Sequence, residues 1–170
     1  MTNIFIIRSK KKNIAYVYYE KKKIICYIGK NGIGKKNREG DLITPKGNYK
    51  VEKVFLRTDR VFRFKSQLPI SQINQSNIWC IDPKNKKYNC FLKKPINCFY
   101  EKLHRKDEAY DIIVSTNFNS KPIKKHRGSA IFIHCMGPKN NFTEGCIALG
   151  KKDLIDLLKE LKPSTRIIIR

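Results

Sequence analysis

No two of the six cysteines form a CxxC pair, which argues against a thiol-redox motif or a zinc ribbon. They stand at Cys26, Cys80, Cys90, Cys98, Cys135 and Cys146, several inside apolar runs, where they read as small buried hydrophobes. No His/Cys/Asp cluster shows the spacing of metal ligands, so neither a metal nor another cofactor is expected. A signal peptide's basic start, long apolar middle and small-residue cleavage site are missing too. Met1 to Arg8 holds only a short apolar stretch before a run of lysines. No segment reaches membrane-spanning length. These absences predict a cytoplasmic protein with reduced thiols, or an exported one if a leader has been trimmed. Acid is scarce as well: 14 Asp and Glu face 37 Lys and Arg, a net charge of +23. Such a surface attracts polyanions. Yet 28 of the cations are Lys and only 9 Arg, and Ile and Asn are abundant beside them. An A+T-rich coding sequence raises those three residue types together, without selection for binding.

What is present is a core. At 170 residues, with 41% hydrophobic and 11% aromatic side chains, the chain fits one globular domain, residues 1–170, expected to act as a monomer. Strand signals dominate. Asn3 to Arg8, Ile14 to Tyr19 and Ile24 to Ile28 are short β-branched or aromatic runs separated by lysine or asparagine clusters, as in a meander of hairpins. Gly29 to Gly47 is rich in turn residues, and Tyr49 to Leu56 reads as another strand. Arg57 to Pro95 is irregular and carries the lone Trp79; Phe99 to Arg105 reads as one or two helical turns. Tyr110 to Val114 and Ala130 to His134 are buried-strand runs. Lys151 to Leu161 is a helix with Leu154, Ile155, Leu157, Leu158 and Leu161 on one apolar face, stopped by Pro163, and Arg166 to Arg170 is a final strand. There is no internal repeat. The predicted class is mainly β with a few short helices, an α+β fold.

One constellation carries chemistry. Ser129-Ala130-Ile131-Phe132-Ile133-His134 is followed twelve positions later by Cys146, inside Thr143-Glu144-Gly145-Cys146-Ile147-Ala148-Leu149. A thiol attacks as thiolate, and a nearby imidazole is the usual means of making one. His134 ends an apolar run, which would hold its ring on a rigid element. Gly145 permits unusual dihedral angles and close backbone approach, so N–H groups around Gly145 and Cys146 are candidates for an oxyanion hole.

The stretch from Tyr110 to Leu161 resembles the catalytic core of the L,D-transpeptidase (YkuD-type) family. The shared signature is an apolar strand ending in His, a loop, then Ser/Thr-x-Gly-Cys. Upstream, Glu39-Gly40-Asp41 with Thr44-Pro45-Lys46-Gly47 resembles the family's Gly-Asp…Thr-Pro-x-Gly turn. Trp79-Cys80, Asp82 and Tyr88-Asn89 resemble a short, single-domain subgroup. The resemblance implies a β-sandwich-like catalytic domain in which Cys146 is nucleophile, His134 its base, and the Cys135 backbone carbonyl orients the ring. It implies acyl transfer on the peptide stem of peptidoglycan through a Cys thioester. Release of terminal D-alanine to water would make an L,D-carboxypeptidase acting on muropeptides; transfer to an amine would make an L,D-transpeptidase, located in the periplasm or cell wall if exported. Three positions depart from the pattern. Glu144 stands where the wider family has His, Ala148 where Arg is common, and Asn117-Phe118-Asn119 where the subgroup has Gly-His-Asn.

Weaker assignments complete the reading. Tyr110, Asn119 and Arg127 are candidates for binding stem carboxylates, against packing or loop solvation. Thr143 is a candidate brace of the nucleophile loop, or a turn cap. Glu144 is a candidate partner of His134 or of a substrate ammonium, while His104 and His126 read as solvated. The basic runs at Lys10 to Lys12, Lys21 to Lys23 and Lys124 to Arg127, with Tyr16, Tyr18 and Tyr19 interleaved, keep a nucleic-acid module as an alternative. No recognised nucleic-acid motif accompanies them, so no specific nucleic-acid partner is expected. A catalytically inactive wall-binding domain is the third possibility.

Overall fold

Alternating burial along short strands organises the chain. The structure, a computed structural model, describes residues 3–62, 65–138 and 141–170. The strands, in chain order, are β1 (Asn3–Arg8), β2 (Ile14–Tyr19), β3 (Lys22–Tyr27), β4 (Ile33–Gly34), β5 (Thr44–Pro45), β6 (Gly47–Leu56) and β7 (Ile70–Gln72). They continue as β8 (Asn77–Cys80), β9 (Phe91–Lys93), β10 (Tyr100–Lys102), β11 (Ile112–Thr116), β12 (Phe132–Cys135), β13 (Ile147–Leu149) and β14 (Arg166–Ile169). The helix α1 (Lys151–Glu160) joins the last two strands, and a 3-10 turn occupies Glu108–Tyr110.

Nine strands form one sheet in the order β11-β12-β13-β3-β2-β1-β14-β6-β7. The long β6 closes it on itself: Gly47 to Lys50 pair with β14, and Val51 to Leu56 pair with β11. Closure removes most unpaired strand edge, which suits a chain with so many short strands. The enclosed face carries Ile4 and Ile6 of β1, Ala15 and Val17 of β2, Cys26 of β3, and Ile167 and Ile169 of β14, all buried. Leu154, Leu157 and Leu158 of α1 close this core, their spacing following the helical period. Asp153 in the first turn and Lys159 in the last match the helix dipole.

A second, smaller core lies on the opposite face of β11 and β12. Phe55, Ile113 and Phe132 pack there against Trp79, Leu103 and Tyr110, under a small sheet ordered β10-β8-β9. Strands β11 and β12 are therefore buried on both faces, which explains the apolar runs at 112–114 and 131–133.

The structure corrects three local expectations. Phe99 to Arg105 is not helical, because Tyr100 and Lys102 pair with Cys80 and Ile78 and complete the small sheet; tertiary pairing overrides local preference. The buried strand predicted from Tyr110 starts at Ile112, after a 3-10 turn whose Asp107 carboxylate accepts from Ala109 N at 3.2 Å. Ala130 is outside the strand, with a φ of +51°. Among the described residues α1 is the one α-helix, fewer than expected, and the stretch read as irregular holds β7, β8 and β9. Within the regions assigned from sequence, Met1, Thr2, Arg63 and Phe64 lie outside the described residues.

Ile133 is buried in the main core between β11 and β13. Ile133→Ala is expected to lower unfolding free energy by about 2–4 kcal/mol in urea titrations, since a buried Ile truncation loses transfer energy and leaves a cavity.

Candidate active site

Strand register puts the two candidate catalytic side chains on one face. β12 and β13 run parallel with Ile133 opposite Ile147 and His134 opposite Ala148. Cys146, one residue before β13, then falls level with Phe132, and its side chain shares the face of Phe132 and His134 because strand side chains alternate. Both Cys146 and His134 line one cavity of about 1330 Å³, with Tyr110, Thr143 and Glu144 also in its wall.

The thiol is held by backbone. It donates to the Ala130 carbonyl at 3.0 Å, while Phe132 N–H donates to the sulfur at 3.3 Å. Among the described residues it makes no hydrogen bond to His134. Burial pushes the thiol up to about 12, with Glu101 and Glu144 adding to the rise and Phe132 N–H and Lys36 opposing it. His134, 8% exposed, donates Nδ1–H to the Cys135 carbonyl at 2.8 Å, as the resemblance implies, leaving the Nε2 lone pair free to take a proton. Burial lowers the imidazole to about 4, the carbonyls of Cys135 and Ala109 pulling the other way and Arg105 adding to the fall. Thiol and imidazole are both neutral at rest. That differs from a preformed thiolate, and the cause is desolvation.

Two threonines clamp the loop bearing Cys146. Thr143 Oγ1 donates to the Cys146 carbonyl at 2.6 Å and accepts from Gly145 N–H at 3.1 Å. Thr44 Oγ1, fully buried, donates to the Gly145 carbonyl at 2.9 Å and accepts from Gly29 N–H at 2.8 Å. The Gly145 N–H is thus engaged, and this corrects its expected place in an oxyanion hole. Cys146 N–H, without an acceptor among the described residues, is the donor this turn offers instead. Gly145 has a φ of +144°, and a Cβ there would lie 2.9 Å from the Ile43 carbonyl oxygen and 3.1 Å from Ile131. Only glycine fits.

Other expected contacts sort themselves by position. Thr143 uses its hydroxyl as a brace rather than offering it to a ligand. Tyr110 is buried, donates to Glu101 at 2.5 Å and sets its ring edge-on to His134 with centroids 5.2 Å apart. Glu144 is exposed at the cavity wall. Asn119 and Arg127 are not in that wall: Asn119 spends its amide on the Lys124 and Gly128 carbonyls, and Arg127 is exposed. His104 reaches the cavity's rim. Among the described residues no group of three His, Cys, Asp or Glu could hold a metal.

Two residues of the site had no role assigned from sequence. Lys36 is buried and pairs with Asp41 at 2.6 Å while donating to the Ile43 carbonyl at 3.3 Å, so its ammonium sits behind Gly145. Burial raises the Asp41 carboxyl, but Lys36 and the N–H groups of Asn37, Ile43 and Arg38 outweigh it and hold the group below its usual range. Asn89 is the other. Its Oδ1 accepts from Trp79 Nε1 at 2.9 Å and from Ala130 N–H at 3.0 Å, and its amide donates to the carbonyls of Phe118 and Asn119. It fixes the strained Ala130 whose carbonyl holds the thiol. The sequence signal existed for both motifs, in the Gly-Asp turn and the Trp79…Asn89 pair.

A family model, described as the L,D-transpeptidase catalytic domain (YkuD), matches residues 3–169. The chain belongs to the YkuD family of L,D-transpeptidase catalytic domains. A search of curated proteins found no match. Among solved structures this YkuD domain is similar to an L,D-transpeptidase from Mycobacterium smegmatis, at 11% identity and a TM-score of 0.41, over 99% of this chain and 59% of that one. It is also similar to L,D-transpeptidase 1 of Mycobacterium tuberculosis, at 11% identity and a TM-score of 0.43, over 99% of this chain and 62% of that one. The YkuD domain spans about three fifths of the length of each.

Two outcomes test this geometry. Asn89→Ala leaves Trp79 Nε1 and Ala130 N–H buried without acceptors, so unfolding free energy is expected to fall by about 1–3 kcal/mol per orphaned donor. Alkylation of Cys146 is expected to be faster than in the parent, because Ala130 no longer holds the thiol. The second concerns acid. The folded imidazole titrates near 4 and an unfolded one near 6.5, so the unfolded state binds more protons between those values and stability falls as pH drops through that window. Chemical denaturation at pH 7 and pH 4.5 is expected to show a smaller acid loss in His134→Gln than in the parent protein.

Proposed function

We propose that this YkuD domain is an L,D-carboxypeptidase that trims peptidoglycan tetrapeptide stems through a Cys146 thioester. The observation that carries the reading is that Cys146 and His134 line one cavity, the imidazole fixed through Nδ1–H on the Cys135 carbonyl, beside a Cys146 N–H that has no acceptor among the described residues. The thiol rotates from the Ala130 carbonyl, gives its proton to His134 Nε2, and the sulfur attacks the carbonyl of the third stem residue's L-centre. Cys146 N–H donates to the oxyanion that forms, and the buried Lys36 ammonium behind Gly145 favours negative charge there. The tetrahedral intermediate collapses, breaking the peptide C–N bond; the imidazolium protonates the departing amine and D-alanine leaves. Water then gives a proton to His134 and attacks the thioester, releasing a tripeptide and restoring the thiol.

Hydrolysis is favoured by Ala148. It lines the cavity opposite His134, in a position where a longer cationic side chain is common in the family, and its small size leaves room for water. A second reading has its own observation. Glu101 and Glu144 lie near enough to raise the thiol, and carboxylates so placed attract an ammonium. Transfer to an amine of a second stem, the L,D-transpeptidase reaction, would use that attraction.

Incubation with a disaccharide tetrapeptide, followed by mass spectrometry, separates the two. Loss of one D-alanine is expected, absent in Cys146→Ala and about 10²–10⁴-fold slower in His134→Ala. Crosslinked dimer without tripeptide would overturn hydrolysis in favour of transpeptidation. Muropeptide bound without any turnover, under reducing conditions, would overturn both.

A further inference from the structure

The face that carries the catalytic pair does not end at the cavity. Register carries one row across the sheet: Ile113 lies opposite His134, His134 opposite Ala148, Ala148 opposite Tyr27, and Tyr27 opposite Ile14. Tyr27 stands in the cavity wall. Beyond it the same face of β3, β2 and β1 is uncovered, and it is not an ordinary polar surface. Ile25 is 48% exposed and Ile7 38% exposed, with Tyr16 directly between them in register. Phe5 and Tyr18 form the next opposed pair, both half-buried. Tyr16 and Tyr18 are edge-to-face with centroids 6.4 Å apart.

Cations are set into this strip rather than around it. Lys23 Nζ lies 4.2 Å from the Tyr16 ring centroid and 5.7 Å from that of Tyr18. The Arg170 guanidinium lies 5.3 Å from the Phe5 ring. A surface that exposes aromatic and aliphatic carbon in a contiguous strip marks an interaction site more often than a scatter of single residues does. Here the composition selects the occupant. Aromatic rings receive the apolar C–H faces of sugars, and ammonium and guanidinium groups among them receive carboxylates. The row running into the cavity through Tyr27 means that an occupant of the strip is continuous with one at Cys146.

We propose that the outer face of β1, β2 and β3, centred on Tyr16, Tyr18 and Lys23, is a docking track for the glycan strand whose stem peptide enters the catalytic cavity. The inference rests on the proposed function, since the polymer is the one whose stems Cys146 acts on. Sugar rings lie against Phe5, Tyr16 and Tyr18, and carboxylates of neighbouring stems pair with Lys23 and Arg170. Substrate recognition then extends over several disaccharide units. A soluble disaccharide tetrapeptide fills the cavity without reaching the track.

The test uses the full chain. Cys146→Ala is mixed with purified insoluble peptidoglycan and pelleted, with and without the added triple substitution Tyr16→Ser, Tyr18→Ser, Lys23→Gln. The same triple substitution in the Cys146-intact protein is assayed on the soluble disaccharide tetrapeptide. The expected result is at least about tenfold weaker sedimentation, about 1.4 kcal/mol, with kcat and KM on the soluble substrate within about twofold. Salt is expected to weaken the parent's sedimentation, and the variant's less, since the variant has lost Lys23, one of the screened charges. Unchanged sedimentation overturns the proposal. So does an equal fall in soluble turnover, which would make the strip part of the fold. Tighter, substitution-sensitive binding of single-stranded DNA with unaltered sedimentation would make it a nucleic-acid surface instead. If the soluble substrate is not turned over but sedimentation still depends on the three residues, the catalytic reading fails while the track stands.

Discussion

The site depends on the parallel pairing of β12 with β13. One ladder, with Ile133 opposite Ile147, sets which side chains share a face. A slip of one residue would turn His134 into the main core and leave Cys146 facing the opposite way. The pairing is held by what lies on both sides of it. Ile133, Cys135, Ile147 and Leu149 are locked into the large core, and Phe132 into the small one. Stability and chemistry are therefore set by the same register, and packing on one face positions reactive groups on the other.

Burial then determines the resting chemistry. Desolvation penalises thiolate and imidazolium alike, so the pair rests neutral, with the thiol bonded to the Ala130 carbonyl and the ring to the Cys135 carbonyl. Such an arrangement keeps an exposed-site reagent from meeting a thiolate and leaves proton transfer to the moment of attack. The loops partner most of the polar groups around the pair, while Ser129 Oγ, buried in the cavity wall, has no partner among the described residues. Thr44 and Thr143 tie down the nucleophile turn, and Asn89 ties Trp79, Ala130 and the Phe118–Asn119 carbonyls together. The strain of Ala130, with its positive φ, is stored beside the thiol, where surrounding hydrogen bonds over-determine it.

Charge is distributed against the protein's average. The chain carries +23, yet Glu39, Glu101 and Glu144 stand in the cavity wall, and two of them act on the thiol. Lys36 and Arg105 are pinned by Asp41 and Asp107, so they fix structure before they can capture a ligand. Lys102 and Lys106 also stand in the wall, and further cations lie on the uncovered sheet face and the hairpin turns. The wall thus mixes both signs, while the outer surface is basic and attracts acidic polymers.

Much of this was legible in the residues. Periodicity alone marks β1, β2, β6, α1 and β14, because a pattern of 2 or 3.6 residues reflects which face is buried. Gly145 beside Cys146, and His134 at the end of an apolar run, single out a candidate pair, and the structure places both side chains in the wall of one cavity. The Thr44 turn and the Trp79…Asn89 pair could be read as motifs but not as supports. Contacts between residues far apart in the chain were not legible. Nothing local makes Tyr100–Lys102 a strand; the open edge of β8 does. Nothing local buries Lys36 behind Gly145, ties the Gly145 carbonyl to Thr44, or removes Asn119 and Arg127 from the cavity wall. Local preference and side-chain chemistry act within a few residues and so can be read from order alone. Desolvation, hydrogen-bond partnering and strand register arise only when distant segments meet, and those were decided by the tertiary structure.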